Sequence, residues 1–189
     1  MVDIFTIIMI LLAYLIGAIP TGYLIAQLNG IADIRAHGSG NIGATNVSRF
    51  LGKHYFFIIF FLDAGKAFLF MHLIQPYCHY NEAYLYAGII LFGNGYSIFL
   101  RGSGGKGMAT LCGLLAQLYP TALVPLLTVW LVTLLITKTV GIASVAAIAC
   151  MPLYAYTTHN NPFFLFSVFA ATLIIWKHKP NMLAYWKTY

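Results

Sequence analysis

Residues 55–75 read YFFIIFFLDAGKAFLFMHLIQ, a stretch that is apolar apart from a few polar positions. A continuous apolar run of this length crosses the hydrocarbon core of a bilayer as an α-helix. It does not alternate between apolar and polar residues, which argues against a barrel strand. Asp63 and Lys66 are three residues apart and therefore share one helix face. Charges in hydrocarbon are costly, so these two form an internal ion pair or part of a functional site.

The rest of the chain has the same character. Of its 189 residues, 61% are hydrophobic and 7% charged, whereas soluble domains carry about 25% charged residues. This composition predicts a single all-α domain over residues 1–189, a polytopic integral membrane protein. The formal net charge of +6 comes from Lys and Arg residues grouped at segment ends. We therefore attribute it to membrane topology, and expect the lipid bilayer but no nucleic acid as a partner.

The apolar runs and the charges between them predict about seven crossings. We interpret residues 108–137 as two short helices broken near Pro120, because every basic loop then lies on one face, as the positive-inside rule requires. The N-terminus would lie outside and the C-terminus in the cytoplasm. Pro20 predicts a kink in the first span. The predicted spans are 4–28, 55–75, 83–100, the two halves of 108–137, 141–157 and 162–176.

The most polar stretch is AHGSGNIGATNVSR, residues 36–49, within a predicted loop over 29–54. Three of its glycines fall within six residues, so backbone N–H groups can line a concavity that suits an anion. Arg49 can hold a phosphate bidentately. By itself the stretch fits a phosphate-binding loop and a flexible connection equally well. The phosphate interpretation assigns ligand-binding roles to Ser39, Gly40, Asn41, Thr45, Asn46 and Arg49.

A second glycine-rich loop, RGSGGKG, occupies residues 101–107 and precedes an apolar helix. Gly105 and Lys106 at a helix N-terminus suit a phosphate, and a positive-inside anchor on a tight turn is the alternative. The loop is not a P-loop of nucleotide-binding proteins, because Gly107 follows the lysine.

Three polar residues near the ends of later spans are further candidates. His178 and Asn181 are three residues apart at the end of the last span, where they can serve as general base and hydroxyl ligand or as interfacial anchors. Ser144 can cap its helix or reach a ligand. The three cysteines, which are far apart, show no metal-binding spacing, so we predict no disulfide, no metal and no cofactor.

Together these motifs resemble the bacterial acyl-phosphate:glycerol-3-phosphate acyltransferases, the PlsY family, along nearly the whole chain. GAIPTGYL at residues 17–24 is similar to the family's first-helix pattern G-[SA]-I-P-x-G-Y-L. Residues 33–49 resemble its first motif, residues 104–110 its second, and His178 with Asn181 its third. Three ordered motifs at this spacing are far more specific than any single glycine-rich loop.

The resemblance implies transfer of a fatty acyl group from acyl phosphate to the 1-hydroxyl of glycerol 3-phosphate. The products would be lysophosphatidic acid and inorganic phosphate, at the start of phospholipid synthesis. It also implies a multi-pass protein of the bacterial cytoplasmic (inner) membrane with its active site facing the cytoplasm. The soluble enzyme that makes acyl phosphate is then an expected partner.

The resemblance also suggests roles for the candidate residues. Ser39, Arg49, Lys106 and Ser144 would bind phosphate, and Lys106 would also neutralise charge on the leaving phosphate. His178 and Asn181 would position or deprotonate the glycerol.

The sequence departs from the family pattern at five positions: Ile42, Asn94, Ser103, Gly141 and Pro180. A divergent paralog with another acceptor is therefore one alternative. A transporter of a small phosphorylated or anionic solute is another, since short helices broken by glycine and proline also build transporter anion sites.

Overall fold

A computed structural model describes residues 3–187, and every regular element within them is helical. Short 3-10 turns connect several of the helices. The nine α-helices are α1 (Ile4–Ala18), α2 (Thr21–Leu28), α3 (Ala44–Leu51), α4 (His54–Ile74), α5 (Tyr80–Gly95), α6 (Met108–Leu118), α7 (Leu123–Thr137), α8 (Val140–Thr157) and α9 (Asn161–Trp186).

Four segments are long and apolar enough to cross a membrane: 54–77, 80–100, 120–137 and 140–157. Helices α1 and α2 make a fifth if the bent pair is one span. Large apolar side chains face outward along these helices, Leu69 and Ile136 among them, as expected of surfaces that contact lipid. The architecture is thus that of an all-helical membrane protein, while seven crossings and the orientation of the termini stay predictions.

The break at Pro20 is confirmed, with a bend of 41° between α1 and α2. A broken helix leaves carbonyl groups without partners, which is costly inside a membrane. Ser97 Oγ donates to the carbonyl of Ala18 (2.5 Å) and Lys66 Nζ to that of Ile19 (2.7 Å). The break is therefore held by side chains from two other segments.

The same Lys66 forms the predicted ion pair with Asp63, at 2.7 Å. Thr21 Oγ1 donates a further hydrogen bond to that carboxylate. The pair thus joins α4 to the first residue of α2, and it satisfies two charges that would otherwise be costly in hydrocarbon.

Two sequence expectations need correction and one is confirmed. Residues 29–54 are not all loop, because Ala44–Leu51 forms α3. Val47 on one face of this helix is buried, and Gly52, at φ +113°, ends it. The last helix does not end at residue 176 but runs to Trp186. The break near Pro120 is confirmed, since α6 ends at Leu118 and α7 begins at Leu123.

Small residues allow the central helices to approach closely. A Cβ atom at Gly17 of α1 would lie 2.1 Å from the carbonyl oxygen of Ile90 on α5. One at Gly113 of α6 would lie 2.0 Å from the carbonyl oxygen of Ala64 on α4. Both contacts involve backbone atoms, which cannot move aside as a flexible side chain would.

We expect Gly113→Ala to destabilise the protein by about 1–3 kcal/mol, because the added methyl group overpacks the α4–α6 contact. Gly65→Ala is the matched control: it lies on α4 with no atom within 4 Å of its added Cβ, and alanine is the better helix former. Thermal unfolding in detergent measures both. Equal midpoints for the two variants would contradict the close α4–α6 approach.

Candidate active site

The first glycine-rich stretch ends in the N-terminus of α3, which opens onto a cavity. The cap residue, Gly43, has no side chain to satisfy the first-turn N–H groups. Its own N–H donates to Asn41 Oδ1 (2.8 Å). Gly43, Ala44 and Thr45 all line the cavity. An uncapped helix N-terminus carries a partial positive charge and exposed donors, which suits an anion.

Asn46 holds this loop in shape. Its Nδ2 donates to the carbonyls of His37 (3.0 Å) and Asn41 (2.9 Å), and its Oδ1 accepts from the N–H of Ser39 (3.0 Å). The side chain is only 2% exposed. Both N–H groups and one lone pair of the amide are therefore used inside the loop. Asn46 borders the cavity, but its amide mainly positions Ser39 and Asn41.

The second glycine-rich loop packs directly on the end of α5. The N–H of Gly105 donates to the carbonyl of Asn94 (2.8 Å). A Cβ atom on Gly104 would lie 2.2 Å from that same oxygen, so only glycine fits there. The loop carries Lys106 into the cavity wall, where its Nζ donates to Asn181 Oδ1 on α9 (2.6 Å). The second and third motifs thus meet through a hydrogen bond.

Helices α8 and α9 bring the remaining candidates to the same cavity. His178 is buried, and its Nδ1 lies 2.8 Å from the carbonyl oxygen of Ile174. Because a carbonyl only accepts, Nδ1 carries the proton and Nε2 retains a lone pair. Ser144 Oγ on α8 accepts from Trp130 Nε1 (3.3 Å). The indole is a donor only, so the serine hydroxyl hydrogen remains available to a ligand.

Two of the departures from the family pattern have visible structural consequences. A Cβ atom at Gly141 would lie 2.3 Å from Asn181 Nδ2. Glycine at this position therefore leaves room for the Asn181 amide. Pro180 lies inside α9, and the helix continues past it to Trp186.

The cavity has a volume of about 720 Å³. One part of its wall is polar and the other is formed by apolar and aromatic side chains of α4, α6 and α7. The polar lining residues include Ser39, Asn41, Thr45, Asn46, Arg49, Asp63, Asn94, Gly105, Lys106, Thr110, Lys138, Ser144, His178 and Asn181; the apolar ones include Phe56, Phe57, Phe60, Phe61, Met108, Cys112, Leu126, Leu127 and Trp130.

All of the predicted site residues except Gly40 line this cavity. Gly40, at φ +69°, instead shapes the loop, and its N–H donates to the carbonyl of His37 (3.0 Å). The aromatic residues of α4 were not among the predicted site residues, and neither were Trp130 and Asn94. The phenylalanine run of α4 is typical of any lipid-facing helix, so nothing in its pattern distinguishes a cavity wall from a lipid surface.

None of the four acidic side chains, which all lie in the described part of the chain, forms an ion pair with Arg49, Lys106 or Lys138, although Asp63 also lines the cavity. Asp33 pairs with Arg35 (2.7 Å) and Asp63 with Lys66. The other two serve helix N-termini: Asp3 accepts from the N–H of Thr6 and Glu82 from that of His79. Within residues 3–187, Arg49, Lys106 and Lys138 form no ion pair. Their charge suits an anionic ligand.

The surroundings of Lys106 disfavour its positive charge. Burial, together with the positive charges of Arg49 and Lys177, lowers the pKa of Lys106 to about 8. A lysine that is short of negative partners gains from an incoming phosphate, which both pairs with it and restores its proton.

Comparison with known proteins gives a consistent result. A family model described as glycerol-3-phosphate acyltransferase matches residues 7–188. The glycerol-3-phosphate acyltransferase of Wolbachia pipientis subsp. Culex pipiens (strain wPip) is 38% identical, over 93% of this chain and 92% of its own. That of Desulforudis audaxviator (strain MP104C) is 40% identical, over 90% and 87%.

Solved structures agree. The crystal structure of PlsY (YgiH), an integral membrane glycerol 3-phosphate acyltransferase, in its glycerol 3-phosphate form has a TM-score of 0.86 to this chain. It is 31% identical, with 94% of this chain and 90% of that chain covered. The lysophosphatidic acid form gives a TM-score of 0.84 at 30% identity, covering 94% and 89%.

Replacing Asn46 by alanine is expected to destabilise the protein by about 1–3 kcal/mol, because it removes three hydrogen bonds of a buried side chain and leaves the Asn41 carbonyl and the Ser39 N–H without these partners. Asn29→Ala is the matched control, since its amide bonds Ile25 and Tyr55 in an exposed setting where water substitutes. Thermal unfolding and limited proteolysis of residues 36–49 report the effect. Equal losses for the two variants would contradict the positioning role of Asn46.

Proposed function

The chain belongs to the glycerol-3-phosphate acyltransferase family, and from that premise we propose that its cavity transfers a fatty acyl group from acyl phosphate to the 1-hydroxyl of glycerol 3-phosphate. The products are lysophosphatidic acid and inorganic phosphate. One observation carries the proposal. Cations without an ion pair and the uncapped N-terminus of α3 line the same cavity as a set of apolar and aromatic side chains. Both substrates carry a phosphate, and one also carries an alkyl chain.

The polar lining residues of the cavity bind the phosphates. Arg49 lies one turn beyond Thr45 on α3, so the guanidinium and the first-turn N–H groups can address one anion. Ser39 and Ser144 add hydroxyl donors from the first glycine-rich loop and from α8. Lys106 neutralises charge on the phosphate that leaves, where the negative charge grows as the acyl bond breaks.

His178 acts as the general base. Its protonated Nδ1 is held by Ile174, so Nε2 takes the proton of the glycerol 1-hydroxyl as that oxygen attacks the acyl carbon. The bond from that carbon to the phosphate oxygen breaks, and the proton passes on to the released phosphate. Asn181 is held by Lys106 and positions the glycerol hydroxyl.

An enzyme nucleophile is not required. Acyl phosphate is already an activated donor, so direct attack by the hydroxyl suffices. Cys112 lines the cavity from α6, next to apolar lining residues such as Met108 of the same helix. A two-step route through an acyl-cysteine would have to carry the ester carbon away from the groups that stabilise its charge.

The topology follows from the distribution of basic residues. Seven crossings, with the N-terminus outside, put the loops of Arg49, Lys106 and Lys138 on the cytoplasmic side of the bacterial inner membrane. Glycerol 3-phosphate is a cytosolic metabolite, so a site on that face has direct access to it. Acyl phosphate then comes from a soluble partner enzyme that makes it, and enters along the apolar wall.

The alternatives account for fewer observations. A transporter needs access from both faces, and no internal repeat relates the two halves of the sequence. A paralog with another acceptor would keep the phosphate site for acyl phosphate. It would be distinguished by release of phosphate that another alcohol stimulates and glycerol 3-phosphate does not.

The test is release of inorganic phosphate from palmitoyl phosphate by the purified protein in detergent or a lipid mesophase. We expect release that depends on glycerol 3-phosphate. Arg49→Ala should lower kcat/KM about 10–100-fold, since a hydrogen bond to a charged group is worth about 1.5–3 kcal/mol. Arg35→Ala is the matched control, because Arg35 is paired with Asp33 outside the cavity wall.

The possible outcomes separate the parts of the proposal. No release by a folded protein would rule out the acyltransferase activity. Equal effects of the two arginine variants would remove the special role of Arg49. If His178→Ala left turnover unchanged while Arg49→Ala abolished it, the base assignment would fail and the anion site would stand.

The pH dependence tests Lys106. Its lowered pKa, about 8, means that the free enzyme loses this positive charge as the pH rises through 8. We therefore expect kcat/KM to fall above about pH 8. Lys106→Arg stays charged throughout this range, so its profile should flatten there even if its maximum is lower. An unchanged alkaline limb in this variant would show that another group titrates.

A further inference from the structure

Two polar side chains in the cavity wall have no hydrogen-bond partner within the described residues. Thr110, the third residue of α6, is 1% exposed and its Oγ1 is unpaired. Asn94, on α5, is 6% exposed, and its side-chain amide makes no hydrogen bond there. Buried polar groups are nearly always paired, so the Thr110 hydroxyl calls for an explanation. Both residues line the cavity, where a ligand can supply the partner.

The two residues flank the second glycine-rich loop. A Cβ atom on Gly105 would lie 3.0 Å from Asn94 Oδ1, so the amide rests against that glycine. On the other side, Gly107 begins α6 without a side-chain cap. The first helical hydrogen bond is donated by Leu111 to Gly107, at 2.8 Å. The backbone N–H groups of residues 108–110 come before this bond and are not used by the hydrogen bonds of α6 itself. Met108 and Thr110 both line the cavity.

Helix α6 also marks the boundary between the two kinds of wall. Lys106 lies just before it in the polar part, while Met108 and Cys112 belong to the apolar part. The carbonyl group of an acyl phosphate is bonded to both a phosphate and an alkyl chain. It must therefore sit where polar and apolar lining residues adjoin, and Thr110 lies in the chain between Lys106 and Cys112, which both line the cavity.

We propose that Asn94 Nδ2–H, Thr110 Oγ1–H and the first-turn N–H groups of α6 form the binding site for the acyl carbonyl oxygen. The inference rests on the proposed function. When the glycerol hydroxyl attacks, the carbonyl π electrons move to this oxygen and these donors stabilise its negative charge. The electrons return as the carbon–phosphate-oxygen bond breaks, so the carbonyl is regenerated in the ester product.

Neutral donors suit this oxygen better than they suit a phosphate. The phosphates carry full negative charge in the ground state, and Arg49, Lys106 and Lys138 are cations of the cavity wall that can pair with them. The carbonyl oxygen becomes negative only during the reaction. Dipoles already oriented by the fold stabilise such a transient charge without reorganising, and the Asn94 amide lies beside Gly105.

The variant Thr110→Val keeps the shape of the side chain and removes its hydroxyl. We expect kcat to fall by about 10²-fold or more, the usual effect of losing one oxyanion donor, while the KM for glycerol 3-phosphate stays near that of the wild type. Thr110→Ser should retain most of the activity. Thr172→Val is the matched control, because its hydroxyl is exposed and already bonded to the carbonyl of Val168.

Asn94→Leu is a second, independent test in case Thr110→Val does not fold. We expect it to cause the same loss in kcat. Thermal unfolding checks each variant. Wild-type kcat in folded Thr110→Val and Asn94→Leu would overturn the proposal, and so would a raised KM for glycerol 3-phosphate at unchanged kcat. Failure of the proposed function itself is distinguishable, because the wild-type protein would then release no phosphate with glycerol 3-phosphate.

Discussion

The electrostatic imbalance around the cavity is the constraint on which the rest of the site depends. The chain has only four acidic side chains, and each has another partner, in two ion pairs and two helix caps, including Asp63 in the cavity wall, which is paired with Lys66. Within residues 3–187, Arg49 and Lys106 therefore face the cavity without forming an ion pair to a carboxylate. A cation in this setting is satisfied only by a ligand, so the site is built to be incomplete until an anion enters it.

Irregular backbone at the ends of helices provides hydrogen-bond donors for such an anion. Helix N-termini at α3 and α6 present donors to the same cavity, and glycine at positions 43 and 107 leaves both without a side-chain cap. The broken first span is closed by Ser97 and Lys66, which satisfy its free carbonyls. Backbone groups near the membrane are thus either paired by side chains or turned toward a ligand.

The departures from the family pattern lie in or next to the site, and the polar residues of the site still line one cavity. Gly141 leaves space for Asn181, which in turn receives the hydrogen bond of Lys106. Pro180 sits between His178 and Asn181, yet α9 continues and both residues line the cavity. Asn94 supports the second loop through its backbone and offers its amide to the cavity. These residues explain how a divergent sequence keeps one connected polar wall.

The sequence by itself determined the membrane class, the breaks at Pro20 and Pro120 and the candidate polar residues, because apolar run length, proline and glycine act locally. It did not reveal α3, whose short helix depends on burying Val47 against its neighbours. Only the tertiary structure decided that Asn46 serves the loop, that Asn94 and Thr110 lack partners, and that aromatic residues of α4 line the cavity. Those properties depend on which segments meet in space, and local sequence patterns do not encode such long-range contacts.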